Sequence, residues 1–295
     1  MSTAEQHRTR SGPTLRVDGH PVGLTVTGTG DPIVLLHGIG RDRTDWFRVA
    51  PGLAERHTVY AIDIEAFGAS AAWGERITLA SMAHMVRRTL EAVGEHRPVV
   101  LIGNSMGGAV ALRMHADDPS AIRALVLVSP AGFGADAAIG LRLMTVPVLG
   151  EVLQRCHMIA ATMQVRALFA DAALATRELA EASARRMRRP GARRHYLQVI
   201  RDLGAWSGVR PEWRQEVLDA LAAASTPTIV LWGERDVVLP HRHLDAVSAT
   251  VPHAVPVSLP GLGHAPQLED PERFLGLVTT FLDGGGLDGL RAVRL

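Results

Sequence analysis

Val99-Val100-Leu101-Ile102-Gly103-Asn104-Ser105-Met106-Gly107-Gly108 begins with four apolar residues and ends in two glycines that follow a serine by two positions. Val, Leu and Ile without alternation, in a run of strand length, predict a strand buried on both faces of a parallel sheet. Met106 to His115 continue with helix-forming side chains. A strand, then G-x-S-x-G, then a helix is the context of a turn so tight that only small residues fit at 103 and 107. Such a turn strains its serine and lifts the hydroxyl clear of the sheet, beside a helix N-terminus that favours developing negative charge. A phosphate-binding turn is the rival reading. It fails on residue type: a dinucleotide fingerprint needs glycine where Ser105 stands, and a P-loop needs lysine where Ala109 stands.

Outward from this stretch, similar apolar runs recur at Ile33 to Leu36, Val59 to Ile64, Leu125 to Val128, Thr228 to Trp232 and Val255 to Leu259. Residues 15–18 and 22–27 flank Gly19-His20-Pro21 as a short hairpin. Helical stretches lie between the runs, at Leu79 to Val93, His241 to Ala249 and Pro271 to Leu282. Alternation of this kind predicts an α/β fold with a mostly parallel central sheet flanked by helices. From about Ala131 to Arg214 the alternation stops, and the sequence is helical and rich in Ala, Leu, Met and Arg. The expected organisation is an N-terminal tail (1–13), a core made of 14–130 and 215–283, an inserted helical segment (131–214), and a flexible, glycine-rich tail (284–295).

Composition narrows the function. The 295 residues are 47% hydrophobic and 21% charged, an ordinary globular balance, and the net charge of +1 argues against a nucleic-acid partner. Every basic residue is arginine, which removes a lysine Schiff base from consideration. The single Cys156, in an apolar stretch, reads as a packed hydrophobe. Residues 1–13 lack the apolar core of a secretory signal, and no apolar run reaches the roughly 18 residues of a membrane span. The expectation is a cytoplasmic protein with no membrane span.

Three further segments bear on chemistry. Leu35-Leu36-His37-Gly38-Ile39-Gly40 follows a strand, and its glycines free backbone N–H groups to face a site. The N–H of Ile39, with that of Met106, would hold an oxyanion. His37 precedes the turn and is read as structural. Pro227-Thr-Ile-Val-Leu-Trp-Gly-Glu-Arg-Asp236 and Pro260-Gly261-Leu-Gly-His264 each set a candidate residue in a loop after a strand, where sites of open α/β sheets form. Glu234 and Asp236 share one loop, so chemistry alone does not separate them. His241 and His243 are expected to face solvent at a helix start, and His115 to lie on a helix face.

Four motifs in this order give a chain that resembles the α/β-hydrolase family from about Leu15 to Leu282. The resemblance implies Ser105 as nucleophile, Asp236 as the acid, His264 as base, and Ile39 with Met106 as oxyanion donors. It needs no cofactor and no metal. Asp63, Phe67-Gly68 and Ser70 resemble the family's D-x-x-G-x-G-x-S loop, with Ala66 in place of the first glycine and hence a loop of altered shape. The insertion then resembles that family's helical cap, which excludes water and shapes the pocket. Its Met144, Met158, Met163, Phe169 and Trp206 are read first as cap core and second as pocket lining. The run from Arg185 to Arg194 reads as a solvated face, with Arg188 or Arg193 as the candidates to turn inward.

The function so implied is hydrolysis of a carboxylic ester of a small apolar substrate through an acyl-enzyme. Two alternatives stand beside it. One is a carbon–carbon bond hydrolase acting on meta-cleavage products, which the segment Gly103 to Gly108 strongly resembles, although Ala265 stands where those enzymes carry tryptophan. The other is a non-hydrolytic lyase or a ligand-binding member of the same fold.

Overall fold

Residues 14–285, apart from Cys156, are described in a computed structural model. The expected tails at 1–13 and from 286 onward, and the packing expected for Cys156, lie outside the described residues. Eight strands form one sheet: β1 (Thr14–Val17), β2 (His20–Thr27), β3 (Asp31–Leu36), β4 (His57–Ile62), β5 (Val99–Asn104), β6 (Ile122–Val128), and, after a small separate pair, β9 (Thr228–Gly233) and β10 (Val255–Leu259). Their spatial order is β1-β2-β4-β3-β5-β6-β9-β10. The first two strands run antiparallel and the remaining six are parallel. The expected hairpin and mostly parallel sheet are both present.

Strand residues alternate between two cores, because successive side chains leave a strand on opposite faces. Val34, Leu36, Leu101, Leu125, Leu127 and Val230 enter one core, with the helices Leu79–Ala92, Met106–Asp117 and Pro211–Ala223 above them. Ile33, Leu35, Val100, Ile102, Val126 and Ile229 enter the other, against Trp46 and Phe274. Neither face of the central strands meets water, which explains runs with no polar alternation. Helix Leu79–Ala92 shows the complementary pattern: Leu79, Met82, Ala83, Val86 and Leu90 form one buried stripe. Thr78 caps it, accepting from the Ser81 N–H while the Ser81 hydroxyl accepts from the Thr78 N–H.

Between β6 and β9 the chain forms the helices Ile139–Thr145, Leu149–Leu153, His157–Ala167, Arg177–Met187 and Ala192–Leu203. Strands β7 (Gly204–Ala205) and β8 (Gly208–Val209) close this excursion as a two-stranded pair. At its base the N–H of Val209 donates to the carbonyl of Ala135 at 2.7 Å. The core position anticipated at 215 falls inside the helix Pro211–Ala223, whose Val217, Leu218 and Leu221 already belong to the main core. His241–Ala246 is a 3₁₀ turn rather than the start of one long helix, followed by the single α-turn Val247–Thr250. Among the described residues no helix is long and apolar enough to cross a membrane.

Candidate active site

Ser105 sits at the end of β5 with φ 55° and ψ −115°, outside the ordinary range for a residue bearing a Cβ. Such a conformation costs on the order of 1–3 kcal/mol and persists only where its surroundings enforce it. Here they do. The Ser105 N–H donates to the Val128 carbonyl (2.9 Å), and its own carbonyl accepts from the N–H groups of Gly108 (3.0 Å) and Ala131 (3.1 Å). A Cβ on Gly103 would lie 2.3 Å from the Gly107 carbonyl oxygen, and one on Gly107 would lie 2.2 Å from that of Leu36. The turn therefore requires glycine at both positions. Met106 opens the helix Met106–Asp117, where the first backbone N–H groups lack intrahelical acceptors.

The loops after β9 and β10 bring Asp236 and His264 together. His264 Nδ1 lies 2.7 Å from Asp236 Oδ2, and both side chains are buried. A carboxylate only accepts, so Nδ1 carries the proton and donates it, which leaves the Nε2 lone pair free in the neutral ring. Asp236 Oδ1 accepts from the N–H groups of Val238 (2.8 Å) and Leu239 (3.0 Å), so the carboxylate cannot rotate without losing backbone bonds. Glu234, by contrast, is exposed and accepts only from the Gly261 N–H, at 3.3 Å. The site also contains a group that sequence reasoning missed. Asn104 Nδ2 donates to both Val128 O and His264 O at 3.0 Å, tying the histidine loop to the residue that precedes Ser105.

On the opposite side, a Cβ on Gly38 would stand 3.5 Å from the Ser105 Cβ, so this loop passes directly over the serine. Ile39, Ser105 and Met106 line one pocket that opens toward solvent. The Ile39 carbonyl accepts from Gln164 Nε2 of the cap (3.2 Å), a long-range contact that no local signal foretold. His37 is fully buried. Its Nε2 accepts from the Ile64 N–H (3.0 Å), and its Nδ1 lies 2.8 Å from the Gly38 carbonyl, so it braces the loop.

The rest of the pocket wall is mostly apolar, with Leu141, Ile200 and Leu203 of the cap and Leu239 of the core, and Arg142 and Thr145 stand beside them. None of the five apolar cap residues singled out by type lies on it. Met158, Met163 and Trp206 are exposed, and Met144 is half-buried. Phe169 packs against Ala265 and Leu268 instead. Trp206 lies under the Arg142 guanidinium, 5.0 Å from its ring centroid, and its carbonyl accepts from Arg142 Nε. Arg188 and Arg193 stay exposed; Arg186 is the one that turns inward, pairing with Asp42. Burial would raise the Asp42 pKa, but the charge and hydrogen bond of Arg186 outweigh it and hold the carboxyl well below the usual carboxylate range.

One further expectation is corrected. His243 is buried rather than solvent-facing: the 3₁₀ turn rotates it inward, edge-on to Trp232 at 5.7 Å, while His241 stays near the surface against Ser258. In the loop after β4, the position that Ala66 takes is left-handed. Ala66 adopts φ 66° and carries the strain itself. Asp63 anchors this loop, accepting from the N–H groups of Arg43 and Ala69 at 2.7 Å each. Among the described residues no group of three or more His, Cys, Asp or Glu side chains converges as a metal cage.

Relatives cover nearly the whole chain. An uncharacterised protein of Mycobacterium tuberculosis is 30% identical over 283 residues, which span 92% of this chain and 82% of that protein. A 2-hydroxy-6-oxo-6-phenylhexa-2,4-dienoate hydrolase of Burkholderia cepacia is 26% identical, covering 89% of this chain and 91% of its own. A pimeloyl-[acyl-carrier protein] methyl ester esterase of Aeromonas hydrophila is also 26% identical, over 86% and 96%. The profile of the α/β hydrolase fold matches residues 31–271, a span that runs from β3 through the loops carrying Asp236 and His264, and with the sheet order and the strained serine turn it makes this chain a member of the α/β-hydrolase family.

Proposed function

We propose that this α/β-hydrolase is a serine hydrolase that cleaves a carboxylic ester of a small apolar substrate. The observation that carries the reading is the buried His264–Asp236 hydrogen bond of 2.7 Å, made in a loop that Asn104 fastens beside Ser105. In this mechanism His264 Nε2 removes the Ser105 proton as Oγ attacks the ester carbonyl. The N–H groups of Ile39 and Met106 receive the oxyanion, and preorganised donors of this kind each contribute about 3–4 kcal/mol to the transition state. His264 then protonates the leaving alcohol, and water activated by the same nitrogen releases the acid and regenerates Ser105. Asp236 holds the imidazole in the tautomer this sequence needs.

A wall of Leu141, Ile200, Leu203 and Leu239 suits an apolar acyl group, which gains roughly 25 cal/mol per Å² on leaving water. The Burkholderia relative supports a second reading, cleavage of a carbon–carbon bond in a vinylogous diketo acid. That reaction requires protonation of a dienol carbon before attack. Ala265, packed against Phe169 and Leu168, offers no polar group for that step. The deciding experiment compares kcat/KM for p-nitrophenyl esters of graded chain length with that for a 2-hydroxy-6-ketodienoate. The ester is expected to be preferred. A tenfold preference for the diketo acid, about 1.4 kcal/mol, would replace the ester reading with the second one.

A further inference from the structure

A second cavity, open to solvent, lies at the seam between core and cap, and Ser105 does not line it. Arg41 from the core, and Arg186, Arg189 and His195 from the cap, contribute to its wall. The two cavities share the helix Ala192–Leu203: His195 lines this one and Ile200 the pocket over Ser105, about 7–8 Å further along the axis.

Arg41 is only 3% exposed. Its Nε and Nη2 donate to Asp45 at 2.8 and 2.5 Å, while Nη1 has no hydrogen-bond partner among the described residues. Arg186, half-buried, donates from Nε to Asp42 and from Nη2 to the Thr44 hydroxyl at 3.5 Å, and its Nη1 has no partner among the described residues. Arg189 is exposed at the rim. The Asp42 and Asp45 carboxylates neutralise two of the three guanidinium groups and leave one positive charge in excess. His195 adds none near neutral pH, since burial and the charge of Arg194 lower its pKa. A buried guanidinium N–H without an acceptor is costly, and two of the arginines that line this cavity each carry one. The group that suits such a wall is a negatively charged one with several oxygen acceptors, reached by the guanidinium groups through a small side-chain shift.

We propose that this cavity is an anion site, in which Arg41, Arg186 and Arg189 hold the phosphate or carboxylate group of a small molecule. Such a ligand bridges core and cap, and its binding does not depend on the reaction at Ser105. Thermal unfolding of the full chain tests it, with inorganic phosphate, acetate or chloride added at matched ionic strength. Either phosphate or acetate is expected to raise Tm saturably, on the order of 5 °C near saturation, and the more effective of the two names the ligand class. Arg189→Glu should shift the concentration dependence at least tenfold. Arg177→Glu, the same charge change at a cap position whose side chain is 86% exposed, should leave it unaltered. Arg189→Gln serves if the charge reversal disturbs folding. A chloride effect equal to that of both oxyanions, or identical behaviour of the position 177 and 189 variants, would overturn the proposal.

Discussion

Replacing Asp236 with asparagine keeps the side chain's shape and removes one acceptor. In the native loop Oδ1 accepts from two backbone N–H groups, at 2.8 and 3.0 Å, and Oδ2 accepts from His264 Nδ1. The single amide oxygen of asparagine stays with the two backbone donors, since abandoning them leaves two buried N–H groups unpaired at about 1–3 kcal/mol each. Its NH₂ then faces His264, and a donor opposite a donor forces the imidazole to move its proton to Nε2. The base is thereby lost while the fold survives. A wrong-tautomer histidine in a triad lowers kcat by about 10⁴-fold, or about 5 kcal/mol of transition-state stabilisation. Steady-state hydrolysis of p-nitrophenyl butyrate measures the loss, with circular dichroism melting as the control for folding. Glu234→Gln, at an exposed position, should change kcat by less than threefold, a bound of about 0.7 kcal/mol. If Asp236→Asn retains a tenth of native kcat, or Glu234→Gln proves the more damaging change, the assignment of the acid is wrong.

Ser105→Ala and Ser105→Gly should both lower kcat by about 10⁴–10⁶-fold and abolish labelling by a fluorophosphonate. Only the glycine variant sheds the Cβ that strains φ 55°, so its unfolding free energy should exceed that of the alanine variant by roughly 1 kcal/mol in urea titrations. Gly107→Ala drives a methyl group into the Leu36 carbonyl and should destabilise by about 1–3 kcal/mol or yield insoluble protein; native-like solubility and Tm would refute the packing argument. The Asp42 carboxyl is held below its ordinary value of 3.8, so its pairing with Arg186 contributes stability in full above that value and loses it as pH falls toward the depressed folded-state value. Urea unfolding at pH 7, 4 and 3 should show Arg186→Gln less stable at pH 7 and less sensitive to acid than the native chain.

Strands such as Ile33 to Leu36 and Val99 to Ile102 were legible because burial on both faces leaves only apolar residues. The serine turn was legible because its sterics permit so few residue types. Asp236 and His264 were found by their place after strands and by resemblance, and the structure brings these two into contact. The pocket wall was not legible: whether Met163 or Ile200 faces Ser105 depends on how the cap helices pack, and residue type carries no trace of that. The same holds for Gln164 on the Ile39 carbonyl and Arg186 on Asp42, partners separated by more than a hundred residues. His243 was misjudged because a polar residue at a helix start ordinarily faces water, whereas here a 3₁₀ turn puts it against Trp232.

The backbone hydrogen bond from Val209 to Ala135 gives the cap a doorway whose two posts touch. The segment between them leaves and re-enters the core at one place, yet it also leans on the core through Gln164 on the Ile39 carbonyl, Arg186 on Asp42 and the Leu168 carbonyl on the Ala265 N–H. Closing even a long loop adds little entropic cost, as each doubling of its length adds only about 0.6 kcal/mol. The chain thus separates two rates of change. Residues that form the serine turn and the histidine loop are locked into the register of β5, β6, β9 and β10, whereas most of the pocket wall sits in the inserted segment. A foreign cap grafted between positions 135 and 209 therefore has to reproduce what Gln164 and Leu168 do to the Ile39 and Ala265 backbone if it is to change substrate preference on an unaltered floor.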